Sequence, residues 1–104
     1  MAKPEIVLCT PVRAPIATFG GALKDTPATD LGATVIREVL RRSKLAADVV
    51  DTVVMGQVIQ AGARMNPARQ ASVGAGLPVH VPAMTVNRVC GSGAQGIALA
   101  LEAL

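Results

Sequence analysis

The sequence predicts an α/β fold, because short apolar and β-branched runs alternate along the chain with segments of helical periodicity. Apolar residues over 31–45 recur at three- and four-residue spacing, whereas the run around Val53 is β-branched and shows no such period. This alternation favours a mostly parallel sheet whose strands are joined by helices packed on it. A chain of 104 residues has room for one domain, so we treat residues 1–104 as a single unit.

In the first half of the chain, a strand and a helix are predicted on either side of a long loop. The apolar run over 5–9 ends at Thr10 and Pro11 and is typical of a strand buried on both faces. The loop over 13–29 is rich in glycine and proline and has no clear period. The helix over 31–45 is amphipathic. Asp30 is its predicted N-cap, and the charge of Asp30 suits the positive end of the helix dipole.

In the second half, two more strands enclose a second helix. One strand is predicted within 49–59 and another within 79–89, since both segments are rich in β-branched residues. Between them, Asn66 and Pro67 are the predicted N-cap and first residue of a helix, because proline at the first helical position loses no hydrogen bond. The predicted order is strand, helix, strand, helix, strand, followed by a third helix.

Composition and charge exclude several classes of function. Hydrophobic residues make up 51% of the chain and charged residues 16%, which is typical of a packed globular protein and not of a disordered one. With one Phe and no Tyr or Trp, stacking of nucleic-acid bases on aromatic side chains is excluded. The net charge is +3, but the basic residues of the first helix are expected on its solvated outer face, so no nucleic-acid partner is predicted. They are Arg37, Arg41, Arg42 and Lys44.

The two cysteines, Cys9 and Cys90, fit neither a disulfide framework nor the Cys/His spacing of a metal site. We therefore expect no bound metal. The N-terminus lacks the long apolar stretch and cleavage site of a signal peptide, and no run approaches the ~18 apolar residues of a membrane helix. These features predict a cytoplasmic protein without a membrane partner.

The predicted third helix is apolar on every side. Between Ile97 and Leu104 the only polar side chain is that of Glu102, so no solvent-facing side can be drawn. Such a helix is normally covered all round, and three strands with two other helices can cover only part of it. No stop signal follows it. We therefore expect a chain cut within a helix of a longer protein, the alternative being a small domain whose last helix frays or is buried in a dimer.

Cys90 lies between the third predicted strand and this helix, next to Gly91, Ser92 and Gly93. The exposed N–H groups of a helix start stabilise a thiolate, which is the nucleophilic form of cysteine. Glycines let a substrate approach the main chain and leave N–H groups free to bind an oxyanion. Cys90 is thus a candidate nucleophile, and a buried structural thiol is the alternative that the residues alone leave open.

Residues 86–95, which read VNRVCGSGAQ, resemble the acyl-enzyme signature of the thiolase family, Asn-x-x-Cys-x-Ser-Gly. Further segments resemble family segments in the same order, and together the resemblance covers essentially the whole chain. These segments are 13–16 with 19–21, 30–32, 55–58 and 66–70. Chance similarity does not explain so many matches in one order.

The resemblance implies a layered α/β fold of two similar halves, in which the helix after Cys90 is sandwiched between sheets, and assembly as a homodimer or homotetramer. It implies acyl transfer between coenzyme A thioesters in fatty acid metabolism, with acyl-CoA substrates and no separate cofactor. The Cys90 thiolate would take the acyl group and pass it to the α-carbon of a second acetyl-CoA, or to coenzyme A in reverse thiolysis of a 3-ketoacyl-CoA. Exchange between two thiols is nearly isoenergetic, which suits cysteine for this step. The Cys90 N–H would help to bind the oxyanion, as in the family.

The family's other catalytic groups are an activating histidine, a second cysteine and a water held by asparagine, all in segments beyond Leu104. We therefore expect the isolated chain to be inactive. His80 does not match the family's histidine motif and is interpreted as a loop residue, and Cys9 as a small buried apolar side chain. Some loop residues depart from the family pattern, which affects acyl preference or subunit contacts more than the reaction class. They are Ala14, Ala17, Arg64 and Met65.

A dinucleotide-binding module is the alternative function. Gly91, Gly93 and Gly96 spell the GxGxxG motif after a strand and at the start of a helix. That motif belongs in a first βα unit, whereas here it follows the third predicted strand. The acidic residue expected about 20 residues further on also has no counterpart in this chain. The thiolase interpretation is therefore preferred.

Overall fold

The computed structural model describes residues 2–104, and its elements alternate as expected of an α/β protein. In chain order they are helix α1 (Ala28–Ser43), a 3₁₀ helix (Ala47–Val49), strand β1 (Val53–Gly56), helix α2 (Pro67–Gly74), strand β2 (Ala83–Val86) and helix α3 (Ser92–Glu102). The two strands pair in parallel, with Val53 opposite Ala83 and Gly56 opposite Val86. The predicted α/β class and parallel pairing are confirmed.

The core lies where α1, α2 and β1 meet. Its buried centre consists of Val53, Leu77 and Val81, and partly buried aliphatic side chains of α1, among them Ile36 and Leu40, pack against it. Because the chain has a single aromatic residue, aliphatic side chains must fill this space. The core is accordingly small.

Helices α1 and α2 approach each other closely because small residues line their contact. A Cβ atom added at Gly32 would lie 2.9 Å from the Cβ of Ala71. The Arg37 guanidinium also donates a 2.8 Å hydrogen bond to the main-chain oxygen of Gly74. That oxygen is at the end of α2, where carbonyl groups lack partners within the helix. The arginine therefore ties the middle of α1 to the end of α2.

The start of α2 confirms the predicted cap. The Asn66 Oδ1 accepts a 3.2 Å hydrogen bond from the Arg69 N–H and a 2.7 Å bond from the Thr85 hydroxyl. Its Nδ2 donates to the Ala83 carbonyl at 2.9 Å. Asn66 has φ +45°, a left-handed conformation that asparagine tolerates better than most residues. One side chain thus caps α2 and joins it to β2.

The strand predicted over 5–9 is wrong for the part of the chain that the structure describes. These residues form no ladder with another strand, and Val7 and Leu8 are exposed. Ile6, Val7 and Leu8 instead line an apolar groove together with Ile97 and other residues of the third helix. A strand needs a partner for its main-chain groups, and apolar composition alone does not supply one.

Other predicted boundaries shift, and one cap is wrong. Helix α1 begins at Ala28, so Asp30 lies within its first turn and is not the N-cap; Pro27 takes that position without a side-chain hydrogen bond. The charge of Asp30 still lies at the positive end of the helix dipole, as expected. The strands predicted within 49–59 and 79–89 are confirmed as elements but each is four residues long.

The basic residues of α1 are engaged within the chain. Arg41 and Arg42 both bind the Glu38 carboxylate, at 2.7 and 2.5 Å. Hydrogen bonds from Arg41 and then Arg42 lower the pKa of Glu38 to about 2. Arg37 donates to the Gly74 carbonyl at the end of α2, as described above. These contacts support the interpretation of this helix face as a solvated outer surface.

Helix α3 packs mainly on β1, and although residues 6–8 lie beside it, several of its apolar side chains stay exposed. Ile97 and Leu101 are 53% and 52% exposed, and Leu104 is exposed as well. An apolar helix with such sides is normally covered by further protein. Among residues 2–104, the structure contains no helix long and apolar enough to cross a membrane.

We predict that Ser72→Ala stabilises the protein. Ser72 is fully buried in α2, and its hydroxyl bonds to no group among the described residues. Burying an unsatisfied hydroxyl costs about 1–3 kcal/mol, so its removal should raise the free energy of unfolding by about 1 kcal/mol. Urea denaturation measures the change.

Ser43→Ala is the matched control, since the Ser43 hydroxyl donates a 3.2 Å bond to the Leu40 carbonyl. It should not stabilise the protein. A loss of stability in Ser72→Ala would contradict the prediction.

Candidate functional site

Cys90 lies in a five-residue turn at the carboxyl ends of the two parallel strands. Strand β2 ends at Val86 and α3 begins at Ser92, so residues 87–91 connect them. The main-chain N–H of Gln57, just after β1, donates a 3.0 Å hydrogen bond to the Val86 carbonyl. In open α/β sheets, ligands bind at the carboxyl ends of the strands. The sequence prediction of Cys90 at a strand-to-helix turn is confirmed in position.

The start of α3 rests against the end of β1. A Cβ atom added at Gly56 would lie 2.5 Å from the main-chain carbon of Ser92 and 2.6 Å from the Gly93 nitrogen. One added at Gly96 would lie 3.4 Å from the Val54 oxygen. At Gly56, only a residue without a side chain allows this contact without displacement of the main chain, whereas 3.4 Å at Gly96 is an ordinary contact. Gly56 therefore sets how closely α3 approaches the sheet.

The turn itself is closed by main-chain and side-chain hydrogen bonds. The N–H groups of Gly91 and Ser92 donate to the carbonyls of Arg88 and Val89, at 3.0 and 3.1 Å. Val89 has φ +47°. For a β-branched residue this left-handed conformation costs about 1–2 kcal/mol. Strain next to a candidate nucleophile is typical of functional sites.

At the Cys90 turn and the start of α3, three main-chain N–H groups have no acceptor among the described residues. Within residues 2–104, the N–H groups of Cys90, Gly93 and Ala94 donate no hydrogen bond. A Cβ atom at Gly93 would meet nothing within 4 Å, so the space beside it is open. The arrangement can accept an oxyanion from a substrate that approaches the helix start.

Both cysteines are exposed, which decides between the alternatives predicted for them. Cys90 is exposed, so the alternative of a buried structural thiol is wrong for the described chain. Cys9 is exposed as well, and the prediction that it is a buried apolar side chain is wrong, because the segment over 5–9 forms no strand. His80 is exposed in the turn before β2, which agrees with its interpretation as a loop residue.

Two further side chains brace the turn from outside. The Asn87 Nδ2 donates a 3.0 Å hydrogen bond to the Val58 carbonyl, in the segment after β1. The Arg88 guanidinium donates a 2.5 Å bond to the Gln95 Oε1 on the first turns of α3. The turn is thereby tied both to the loop after β1 and to its own helix.

The family signature contains Asn87 and Ser92, but their role in shaping the surroundings of Cys90 was not predicted. For Asn87 a signal existed, since asparagine two residues before a chain reversal commonly accepts a main-chain N–H. Ser92 at a helix start is a similar signal. Gly56 lies in the family-like segment 55–58, but its role had no local signal, because it arises from a contact with residues far along the chain.

An apolar cavity of about 270 Å³ lies between α1, α2 and the strand ends. Gly32, Met55 and Thr85 are among its lining residues, and none of the lining residues belongs to the segment 87–94. Cys90 therefore opens onto the surface and not into this cavity. Among residues 2–104, no three His, Cys, Asp or Glu side chains are grouped so that they could hold a metal ion.

Comparison with known proteins identifies the family of the chain. Residues 6–104 match the thiolase N-terminal domain family. A protein of Staphylococcus aureus (strain NCTC 8325) described as a probable acetyl-CoA acyltransferase is 50% identical over 100 residues, which are 96% of this chain and 25% of that protein. A protein of Staphylococcus epidermidis (strain ATCC 12228) with the same description is 48% identical over the same shares. The chain spans about a quarter of the length of these relatives.

The fold and the turn define the chain as an α/β protein with an exposed cysteine at a strand-to-helix junction. The match over residues 6–104 makes the class specific: the chain belongs to the thiolase family. Family membership also favours the thiolase interpretation of the glycines at 91, 93 and 96 over a dinucleotide site. Gly96 is buried against Val54 of β1, and the space beside Gly93 at the helix start is open.

We predict that Gly56→Ala destabilises the protein and displaces the Cys90 turn. The new methyl group would overlap the main chain of Ser92 and Gly93, which cannot yield by a simple rotation. Overpacking of this kind costs about 1–3 kcal/mol of unfolding free energy, to be measured by urea denaturation.

Gly74→Ala serves as the control, because its Cβ would lie 3.5 Å from that of Ala33, an ordinary contact. Its stability should be unchanged or higher. If Gly56→Ala were as stable as the unaltered protein, the contact between Gly56 and the start of α3 would not be tight, and the prediction would be wrong.

Proposed function

We propose that this chain supplies the nucleophile of a thiolase-type acyltransferase, and that Cys90 is that nucleophile. The observation that carries the proposal is the exposed thiol of Cys90 at the strand-to-helix turn, next to main-chain N–H groups that find no acceptor within residues 2–104. The family signature, Asn-x-x-Cys-x-Ser-Gly, occupies this turn. The residues in hand therefore suit attack on an acyl-CoA thioester.

In the first half of the reaction, the Cys90 thiolate attacks the carbonyl carbon of the acyl-CoA thioester. A bond forms between Sγ and that carbon, and the carbonyl electrons move to oxygen. The oxyanion accepts a hydrogen bond from the Cys90 N–H, which has no other acceptor among the described residues. The bond to the coenzyme A sulfur then breaks, coenzyme A leaves as a thiolate, and the acyl group remains on Cys90.

In the second half, the α-carbon of a second acetyl-CoA gives a proton to the second cysteine, acting as the base, and attacks the acyl-enzyme carbonyl. A carbon–carbon bond forms and the Cys90 thiolate leaves, which gives a 3-ketoacyl-CoA, acetoacetyl-CoA when the acyl group is acetyl. In the reverse direction the coenzyme A thiolate takes the acyl group. We assign the activating histidine, the second cysteine and the asparagine-held water to parts of the full-length protein outside these residues, since His80 lies in an exposed turn.

We further propose that residues 1–104 are part of the N-terminal domain of a homodimeric or homotetrameric enzyme of fatty acid metabolism in the cytoplasm. Its substrates are acyl-CoA thioesters, and it needs no other cofactor. The open apolar sides of α3, where Ile97 and Leu101 are half exposed, support the presence of more protein around this helix. The length of the relatives, about four times that of the chain, supports it independently.

We predict that Cys90→Ser abolishes acyl-enzyme formation in the full-length protein that carries these residues. A serine hydroxyl is a far weaker nucleophile than a thiolate. The measurement is mass spectrometry after incubation with radiolabelled or isotope-labelled acetyl-CoA. The tryptic peptide that contains position 90 should carry acetyl in the unaltered protein and none in the variant.

Cys9→Ser is the matched control, because Cys9 is also exposed. It should leave acylation unchanged. An unaltered protein without acetyl at Cys90 would refute the proposed nucleophile.

We also predict that the isolated chain of 104 residues shows neither condensation nor thiolysis above the uncatalysed background. Proton transfer in both half-reactions needs groups that we assign to the rest of the enzyme. The assay follows the absorbance of 3-ketoacyl-CoA with purified chain. Turnover by the chain alone would show that these residues suffice for catalysis.

A further inference from the structure

The conformation of Val89 has no explanation in its own side chain. Val89 has φ +47°, which a β-branched residue takes up only when its surroundings impose it. Its side chain is 63% exposed, so packing of the valine does not impose this conformation. Something else must hold the main chain at this position.

Two neighbouring side chains bind both main-chain polar groups of Val89. The Asn87 Oδ1 accepts a 2.9 Å hydrogen bond from the Val89 N–H. The Ser92 hydroxyl donates a 2.6 Å bond to the Val89 carbonyl and accepts a 2.8 Å bond from the Arg88 N–H. Ser92 is 4% exposed, so water competes little for its hydroxyl. Both the N–H and the carbonyl of Val89 are therefore hydrogen-bonded to side chains.

The position of these two side chains is itself fixed. Asn87 is anchored through its Nδ2 to the carbonyl of Val58. Ser92 is pressed against the end of β1, since a Cβ atom at Gly56 would lie 2.7 Å from the Ser92 Cβ. Through Asn87 and Ser92, the conformation of Val89 is therefore tied to β1 and the segment that follows it.

The dihedral angles of Val89 set the direction in which Cys90 leaves the turn. We propose that Asn87 and Ser92 are positioning residues for Cys90, a role that rests on the proposed nucleophilic function of that cysteine. By binding the N–H and the carbonyl of Val89, they maintain its strained conformation. Cys90 is thereby presented toward the open space at the start of α3, with its own N–H free.

The test measures the rate of acetylation of Cys90 in the full-length protein that carries these residues. Quenched mixing with acetyl-CoA and mass spectrometry give the maximal rate and the half-saturating concentration over a range of pH. Ser92→Ala and Asn87→Ala should lower the maximal rate about 100-fold, the typical effect of a reacting group displaced by about 1 Å. The half-saturating concentration should change little, because neither residue is proposed to bind substrate.

Matched variants separate positioning from general stability. Ser43→Ala removes another serine bond to a helix carbonyl, remote from the turn, and should leave the rate unchanged. Asn87→Ser should keep part of the rate, because a serine hydroxyl also accepts from the N–H two residues further on, though more weakly. Adding Val89→Gly to Ser92→Ala should restore part of it, since glycine takes positive φ without a steric cost.

Maximal rates of Ser92→Ala and Asn87→Ala equal to that of Ser43→Ala would overturn the proposal. So would a Ser92→Ala, Val89→Gly double variant that folds, by circular dichroism, but is no faster than Ser92→Ala. If Ser92→Ala alone does not fold, Asn87→Ala decides: a rate equal to that of the unaltered protein overturns the proposal, and a lowered maximal rate supports it.

Failure of the proposed function would look different. In that case the unaltered protein is not acetylated at Cys90 at all. Labelling by iodoacetamide at Cys90 relative to Cys9 then decides on positioning, with Cys9 as an internal exposed thiol. The ratio should fall in Ser92→Ala and Asn87→Ala, and an unchanged ratio would overturn the proposal.

Discussion

The contact between the end of β1 and the start of α3 is the constraint on which the site depends. Because Gly56 has no side chain, the main chain of Ser92 and Gly93 reaches the edge of the sheet. The N–H groups at the start of α3 therefore lie where two parallel strands end. A helix start carries a partial positive charge, which favours anions and oxyanions at this edge. A side chain at position 56 would separate the helix from the sheet.

The same contact explains why the turn before α3 is strained. The chain must leave β2 at Val86 and enter a helix that begins only six residues later, against the neighbouring strand. A left-handed residue shortens the path, and Val89 takes that conformation. Asn87 and Ser92, which the family signature contains, bind its polar groups. The signature is thus understood as a cysteine together with the two residues that shape its turn.

The apolar surface of α3 connects the site to the rest of the enzyme that we propose. One side of the helix packs on β1, where Gly96 is buried, and Ile97 and Leu101 on other sides remain about half exposed. Apolar surface of this kind is stabilised when further protein covers it. Relatives of this chain are about four times as long. We propose that this further protein covers α3, the helix that begins beside Cys90.

Elements specified by local signals were predicted well, and elements that depend on distant partners were not. Asn66 and Pro67 marked the start of α2 correctly, because an N-cap and a proline act within one turn. Asp30 was placed as a cap because its side chain is a preferred N-cap. In the structure, however, the N–H groups of Asp30 and Leu31 already donate to the Pro27 carbonyl, so α1 begins at Ala28. The run over 5–9 has the composition of a strand but no partner in the described chain.

By itself, the sequence determined the α/β class, the order of the later elements and the position of Cys90 at the start of a helix. These follow from periodicity and from local turn chemistry, which neighbouring residues fix. Only the tertiary structure decided that Gly56 is required, that Val89 is left-handed and that both cysteines are exposed. Such features arise where residues far apart in sequence compete for the same space or the same hydrogen bond, and no local pattern records that competition.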